Sequence, residues 1–307
     1  MNNHIGVPLT ILGLKDHEAL IVEMGMNHMG ELHVLSNIAK PTIAIITNIG
    51  TAHIGNLGSR ENILKAKMEV TDGMNDGTLI INNDNDLLRT VEYDKLITIG
   101  IDNESDYMAK DINDLAFSAN FYIEDNYINI PVGSKAFIYN SLFAYAVGKK
   151  LGINDEKIVS ALQAFKLTPH RLELIKHKDY DIIDDTYNAS LDSVANSLSI
   201  LGKVKGRKVF IFADILELEE YAKDIHTEVG KKVIENKIDV FVTVGENAKY
   251  AYSIVYDAGM ETYHFDNNQE MLKEIDKIID IGDTILVKGS HGMNLIEVVE
   301  HLKNFKG

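Results

Sequence analysis

Short apolar runs alternate along this chain with longer segments of helical period. Ala19-Leu20-Ile21-Val22 predicts a buried strand, Glu31 to Ala39 a short helix, and Thr42 to Thr47 a second buried strand. Ser59 is a natural N-cap for a helix running to Met74. Thr78-Leu79-Ile80-Ile81 and Leu96-Ile97-Thr98-Ile99 predict further strands. From Ala116 to Val132 the pattern changes. Phe117, Phe121, Tyr122, Tyr127 and Ile130 lie in a β-rich stretch with Asp125-Asn126 as its turn, which predicts an antiparallel hairpin. Helices follow over Phe137 to Leu151 and Asp155 to Phe165, parted by the stop-and-cap signal Gly152-Ile153-Asn154.

After Leu167-Thr168-Pro169 the alternation restarts. Strands are expected at Tyr180-Ile183, Val209-Phe212, Val240-Val244 and Thr284-Val287. Helices are expected at Ser193-Gly202, Ala222-Asn236, Asn247-Ala258, Gln269-Ile279 and Met293-Phe305. Regular βα alternation implies mainly parallel sheets covered on both faces, an α/β fold. The restart divides the chain into two domains, 1–167 and 168–307.

Composition narrows the chemistry. With 45% hydrophobic and 25% charged residues the chain is ordinarily globular. No apolar run reaches the roughly 18 residues of a membrane helix, and Met1-Asn2-Asn3-His4 has neither the basic start nor the apolar core of a signal peptide. The absence of cysteine excludes disulfides and thiolate metal sites and fits a cytoplasmic protein. A net charge of -16 repels nucleic acid and anionic membranes, so a phosphate substrate must be met by local donors or a metal.

Glu23 closes the first predicted strand, and Thr47-Asn48 closes the second. With one short helix between them, the two strands can be parallel neighbours. Ligands of open parallel sheets bind beyond such carboxyl ends. His53 follows in a loop with Gly50, Gly55 and Gly58. A carboxylate and an imidazole in one crevice can hold a divalent metal or handle protons. The same residues also read as strand-end groups bonding their loops, and Lys67 alone reads as an exposed helix lysine.

The words around these residues carry more. Asn3-His4-Ile5-Gly6-Val7-Pro8-Leu9-Thr10, Glu23-Met24-Gly25-Met26-Asn27, Thr47-Asn48-Ile49-Gly50-Thr51-Ala52-His53 and Lys65-Ala66-Lys67 follow one another in order. This series resembles the central ATPase domain of the Mur ligase family. Glu-Met-Gly-Met-Asn resembles the word of members that add D-alanyl-D-alanine to a UDP-muramoyl tripeptide, and it argues against a folylpolyglutamate synthase-like ligase. The resemblance implies ATP and Mg2+ as cofactors. Glu23 and His53 would coordinate the metal, and Lys67 would carry the family's carbamate. The implied reaction phosphorylates a carboxylate, and an amine then attacks the acyl phosphate.

His170-Arg171-Leu172-Glu173 resembles the family's arginine-containing linker. Asp185-Thr186-Tyr187-Asn188-Ala189-Ser190 resembles its Asp-Ser-Tyr-Asn-Ala-Asn segment. In the family both segments face ATP, which implies nucleotide contacts by His170, Arg171, Asp185, Tyr187 and Asn188. Without the family words, Arg171 reads equally as a surface partner of Glu173. Asn48 and Asn140 are the implied contacts in the first domain, although Ala136-Phe137 stands where the family has His-Asn.

Phe212-Ala213-Asp214-Ile215-Leu216-Glu217-Leu218, followed by His226 and Gly230, resembles the family's Gly-Asp-Met-Leu-Glu-Leu region. Lys288-Gly289-Ser290-His291-Gly292-Met293 resembles Lys-Gly-Ser-Arg-Gly-Met. A Lys-Gly-Ser turn entering a helix can bind an anion, so Lys288, Ser290 and His291 are candidates for the dipeptide carboxylate. The plainer reading is a tight strand-to-helix turn.

The 22 glycines include no Gly-x-x-x-x-Gly-Lys-[Ser/Thr] loop. The family's UDP-sugar domain has no counterpart in this sequence either. The expectation is a truncated P-loop-type ATPase domain followed by a Rossmann-like domain, inactive alone. Three readings stay open: a fragment of an active ligase, one half of a split enzyme whose separate partner chain carries the phosphate loop, or a decayed or repurposed homologue that binds a nucleotide or partner without turnover.

Overall fold

The computed structural model describes residues 2–305; Met1, Lys306 and Gly307 lie outside the described residues. The chain forms two compact units. One takes the chain up to Ile112 with Asn120–Asn129 and Ala136–Gln163; the other takes Asn113–Ala119, Ile130–Lys135 and the chain from Ala164 onward.

The first sheet has six strands in sequence order: β1 Ile43–Ile46, β2 Thr78–Asn82, β3 Leu96–Gly100, β4 Tyr107–Asp114, β5 Ala119–Ile123 and β6 Asn126–Ile130. Strands β1 to β4 run parallel. The connection from β5 to β6 is Glu124-Asp125, with Glu124 in the left-handed region at φ 52°. So tight a link between neighbouring strands makes them antiparallel. Every residue of β2 is buried, as expected of a strand covered on both faces. In β1, an edge strand, Ala44 and Ile46 are buried while Ile45 stays 40% exposed.

The structure corrects the first expected strand. Ala19 to Val22 forms no strand, Ile21 is 94% exposed, and among the described residues β1 pairs with β2 alone. An apolar run becomes a strand only when a neighbour satisfies its backbone donors and acceptors. Glu23 therefore does not close a strand beside that of Asn48. Three strands not expected from the sequence are β4, β7 and β11.

In the second unit the strands are β7 Glu173–Lys176, β8 Asp181–Asp185, β9 Lys208–Ala213, β10 Val240–Val244, β11 Glu261–Phe265 and β12 Thr284–Lys288. Their order is β11-β10-β9-β12-β8-β7. All pairs are parallel except the edge strand β7 against β8. The chain steps outward from β9 to β11, then returns to lay β12 between β9 and β8. That reversal is the topological switch point at which α/β sheets bind ligands. Strand alternation sends Val209, Ile211 and Ala213 to one apolar layer with Val298, Val299 and Leu302. It sends Phe210 and Phe212 to the other face, where they stack with Phe241 at ring separations of 5.5 and 6.2 Å. Each such fully buried side chain contributes about 1.5–3 kcal/mol. Among the described residues no helix is long and apolar enough to cross a membrane.

Candidate functional site

Two bonded clusters form at strand ends, one in each unit. In the first unit, the chain leaves β1 at Ile46 and reaches Asn48 two residues on. Lys67 Nζ donates to the Asn48 carbonyl at 2.7 Å. Asn85 Nδ2 donates to Asn48 Oδ1 at 2.8 Å and to the Ile49 carbonyl at 3.1 Å. Arg60 donates to the same Ile49 carbonyl at 2.8 Å and forks onto Asp86 at 2.8 and 2.5 Å. Lys67 reaches this point because its helix, Arg60–Met68, starts at the Ser59 cap, whose hydroxyl accepts the Asn62 amide. His53 sits in the left-handed region at φ 62° and enters the short helix Ile54–Leu57.

The structure thus brings Asn48 and Lys67 together. The exposed Glu23 accepts a hydrogen bond from Asn2 Nδ2 at 3.0 Å. Asn140 is exposed on the helix Lys135–Lys150. Its neighbour Tyr139 donates to Asp84 at 2.7 Å. Burial pushes the Asp84 carboxyl up, but the amides of Ile101 and Asp102, the Tyr139 hydroxyl and the Asn103 side chain overcome it and hold it at about 2. Asn85, Arg60 and Asp84 were not singled out in the sequence; the polar word Asn82-Asn83-Asp84-Asn85-Asp86 directly after a buried strand was their signal.

The second cluster lies at the carboxyl ends of β8 and β12, where Asp185 and Lys288 face each other in register. Asp185 accepts the Lys288 ammonium at 2.6 Å, the Ser197 hydroxyl at 2.6 Å and the Leu172 amide at 3.2 Å. Lys288 also donates to the Asn188 carbonyl at 3.0 Å. Burial pushes Lys288 below its ordinary range, with Asp185 opposing. Next door, Asp184 accepts His170 Nδ1 at 2.8 Å and the Thr186 hydroxyl at 2.7 Å. Glu173 accepts the His170 amide at 3.2 Å. Ligand atoms of His170, Glu173 and Asp184 lie within 4.8 Å of one another, close enough to share an ion, although each residue is already bonded within the protein.

These bonds present two exposed groups. The Arg171 guanidinium lies over the Tyr187 ring, 3.9 Å from its centroid. The Tyr187 amide donates to the His170 carbonyl at 3.1 Å. The His291 ring is 6.3 Å from that of Tyr187. Cation over aromatic face is an attractive pairing, and it leaves planar donors and a ring edge for a ligand.

Of the turn residues, His291 is exposed, whereas Lys288 and Ser290 are 1% and 5% exposed. Ser290 Oγ accepts the Leu216 amide at 2.9 Å, and its own amide donates to the Asp214 carbonyl at 3.1 Å. The helix expected from Met293 begins instead at Ile296, after a 3-10 turn over His291–Met293. Asp214 in turn accepts the Ala248 amide at 2.7 Å and the Asn247 amide at 3.2 Å, anchoring the next helix.

The arrangement has known counterparts. Residues 1–148 match the Mur ligase middle domain, and residues 170–291 match the Mur ligase glutamate ligase domain. The UDP-N-acetylmuramoyl-tripeptide–D-alanyl-D-alanine ligase of Bacillus subtilis is 34% identical over 98% of this chain and 68% of its own length. The chain belongs to the Mur ligase family. A MurF crystal structure from Acinetobacter baumannii superposes with a TM-score of 0.92 at 28% identity, over 99% of this chain and 69% of that one. MurF of Thermotoga maritima, solved in complex with ADP, gives 0.86 at 26% identity, over 99% of this chain and 71% of that one. This Mur ligase chain thus spans about two thirds of the length of these relatives. The α/β fold with mainly parallel sheets accords with the family expectation.

Proposed function

We propose that this chain serves an ATP-dependent ligase that joins D-alanyl-D-alanine to a UDP-muramoyl tripeptide in peptidoglycan synthesis. The carrying observation is 34% identity over 98% of the chain to a ligase of that activity. In this chemistry ATP converts a carboxylate to an acyl phosphate, and an amine then displaces phosphate to give the amide. We divide the chain functionally near Thr168, between the residues matching the two family domains.

Arg171, Tyr187, His170, Asp185 and Asn188 of the second unit are assigned to nucleotide contacts, and so are Asn48 and Asn140 of the first. Support comes from the exposed Arg171–Tyr187 stack and from the network that fixes it. Glu23, His53 and a carbamylated Lys67 are assigned to Mg2+. By donor type, the Glu23 carboxylate and a Lys67 carbamate would supply the hard oxygens that Mg2+ prefers. His291, the solvent-facing member of its turn, is assigned to the dipeptide carboxylate. The cysteine-free composition accords with a cytoplasmic setting.

Phosphoryl transfer rests on positioning and charge neutralisation, and the 307 residues contain no Gly-Lys-[Ser/Thr] phosphate loop. The test is phosphate release from ATP with UDP-muramoyl tripeptide and D-alanyl-D-alanine. The 307-residue polypeptide should release none alone, and should gain turnover when a second polypeptide carrying a phosphate loop is added. Nucleotide binding without turnover is the second reading, favoured by the internal engagement of Lys288 and Ser290. Silence in both arms, with ADP binding intact, would select it.

A further inference from the structure

We propose that Lys288 is a positioning residue for the Arg171–Tyr187 pair and not a ligand of the substrate carboxylate. The proposal rests on the reading above that this pair faces nucleotide.

Lys288 ends a strand buried along its whole length and is itself 1% exposed. Its ammonium points inward, to Asp185 Oδ2 at 2.6 Å and the Asn188 carbonyl at 3.0 Å. An ammonium so placed cannot meet an incoming carboxylate without abandoning a buried Asp185, which is 8% exposed. What it can do is fix two chain segments at once. The Asn188 carbonyl lies one residue beyond Tyr187. Asp185 Oδ1 holds the Leu172 amide, one residue beyond Arg171.

The backbone around Arg171 needs such support. His170 and Leu172 both sit in the left-handed region, at φ 61° and 55°. Residues with a β-carbon hold that conformation only where their surroundings impose it. Asp184 ties His170 and Asp185 ties Leu172, so Arg171 is suspended between two constrained neighbours. The Tyr187 amide closes the ring of contacts on the His170 carbonyl. Lys288 neutralises the carboxylate on which the Leu172 half depends. Its removal leaves Asp185 buried and drawn towards water, taking the Leu172 amide with it.

The signature is a ring-current shift. Protons of the Arg171 side chain lie over the Tyr187 ring and resonate upfield, and Tyr187→Leu marks their unstacked position. Lys288→Met takes away the ammonium and leaves the Asp185 carboxylate in place. With the amide resonances of β10 unchanged as proof of folding, it should lose at least half of the Arg171 shift and bind ADP about two- to five-fold more weakly. A full Arg171 shift in folded Lys288→Met overturns the proposal, as does a loss of D-alanyl-D-alanine binding with ADP affinity intact. Should Lys288→Met not fold, Lys288→Met combined with Asp185→Asn, which leaves no unpaired buried ion, is compared with Asp185→Asn alone: a smaller Arg171 shift in the double variant supports the proposal, and equal shifts overturn it. If the unaltered chain binds no ADP, the nucleotide reading fails, and the Arg171 shift still decides the role of Lys288.

Discussion

His226 accepts the amide proton of Ile215 through Nε2 at 3.0 Å, while Nδ1 donates to the Ala222 carbonyl at 2.7 Å. Both nitrogens are committed, one as acceptor and one as donor, so only the neutral ring fits. The imidazole is fully buried against Phe212, and burial lowers its pKa, with the Ala222 bond and the Asp214 charge opposing. Above about 6.5, the unfolded value, His226 is neutral in both states and adds no pH dependence to stability. As pH falls below that value the unfolded chain takes up a proton that the folded one refuses. Stability is lost until the lowered folded pKa is reached.

The measurable consequence is a slope. Urea midpoints of the unaltered chain should fall between pH 7 and pH 5, with His226 contributing at most about 1.4 kcal/mol per pH unit. His226→Gln should be less stable at pH 7.5 and flatter across this window. His264, also lowered chiefly by burial, remains in both proteins and leaves some slope. Identical slopes in the two proteins would remove His226 as the sensor.

Gly245 offers a test of how tightly the Asp214 anchor is built. It sits at φ 108°, and a β-carbon there would lie 2.6 Å from Asp214 Oδ1. Gly245→Ala combines a strained backbone of about 1–3 kcal/mol with displacement of a cap worth about 1 kcal/mol. Gly259 is left-handed too, at φ 77°, but has open space around it, so Gly259→Ala should cost only about 1–2 kcal/mol. Equal losses in denaturant titrations would mean that Asp214 moves aside freely.

Some of this architecture was legible in the chain and some was not, for identifiable reasons. Thr78–Asn82 announced itself because a strand buried on both faces is a continuous apolar run. Ala19 to Val22 gave the same signal and forms no strand, since pairing belongs to the neighbour and not to the run. Strands β7 and β11 escaped notice because they lie at sheet edges and carry mixed sequences such as Glu-Leu-Ile-Lys. At the site, His170-Arg171 and Tyr187-Asn188 stood out as words. The inward turn of Lys288 did not, because its partner Asp185 is 103 residues away and nothing local distinguishes a lysine that binds a ligand from one that holds a carboxylate.

Asn85 shows the same limit in the first unit. Its side chain spans four backbone or side-chain groups: it donates to Asn48 and Ile49, and accepts the amides of Leu87 and Leu88 at 3.2 and 3.0 Å. Asn85→Ala should cost about 2–3 kcal/mol, as buried groups lose their partners. Asn85→Asp should restore little, because it sets a carboxylate oxygen against Asn48 Oδ1 and the Ile49 carbonyl. A near-neutral Asn85→Asp in urea titrations would show that Asn48 is held by other contacts.

The Arg171–Tyr187 stack separates ring from hydroxyl. The attraction lies between guanidinium and π-face at 3.9 Å, so Tyr187→Phe keeps it and Tyr187→Ala does not. Tyr187 is 50% exposed, and exposed pairs of this kind contribute about 0.5–1 kcal/mol. That corresponds to about two- to five-fold in affinity. Titration calorimetry with ADP should therefore find Tyr187→Phe close to the unaltered chain and Tyr187→Ala weaker by that factor. If Phe and Ala weaken binding equally, the phenolic hydroxyl touches the nucleotide and the ring's hold on Arg171 is secondary. If neither changes it, Arg171 reaches ADP without the stack, and the tyrosine belongs to the fold alone.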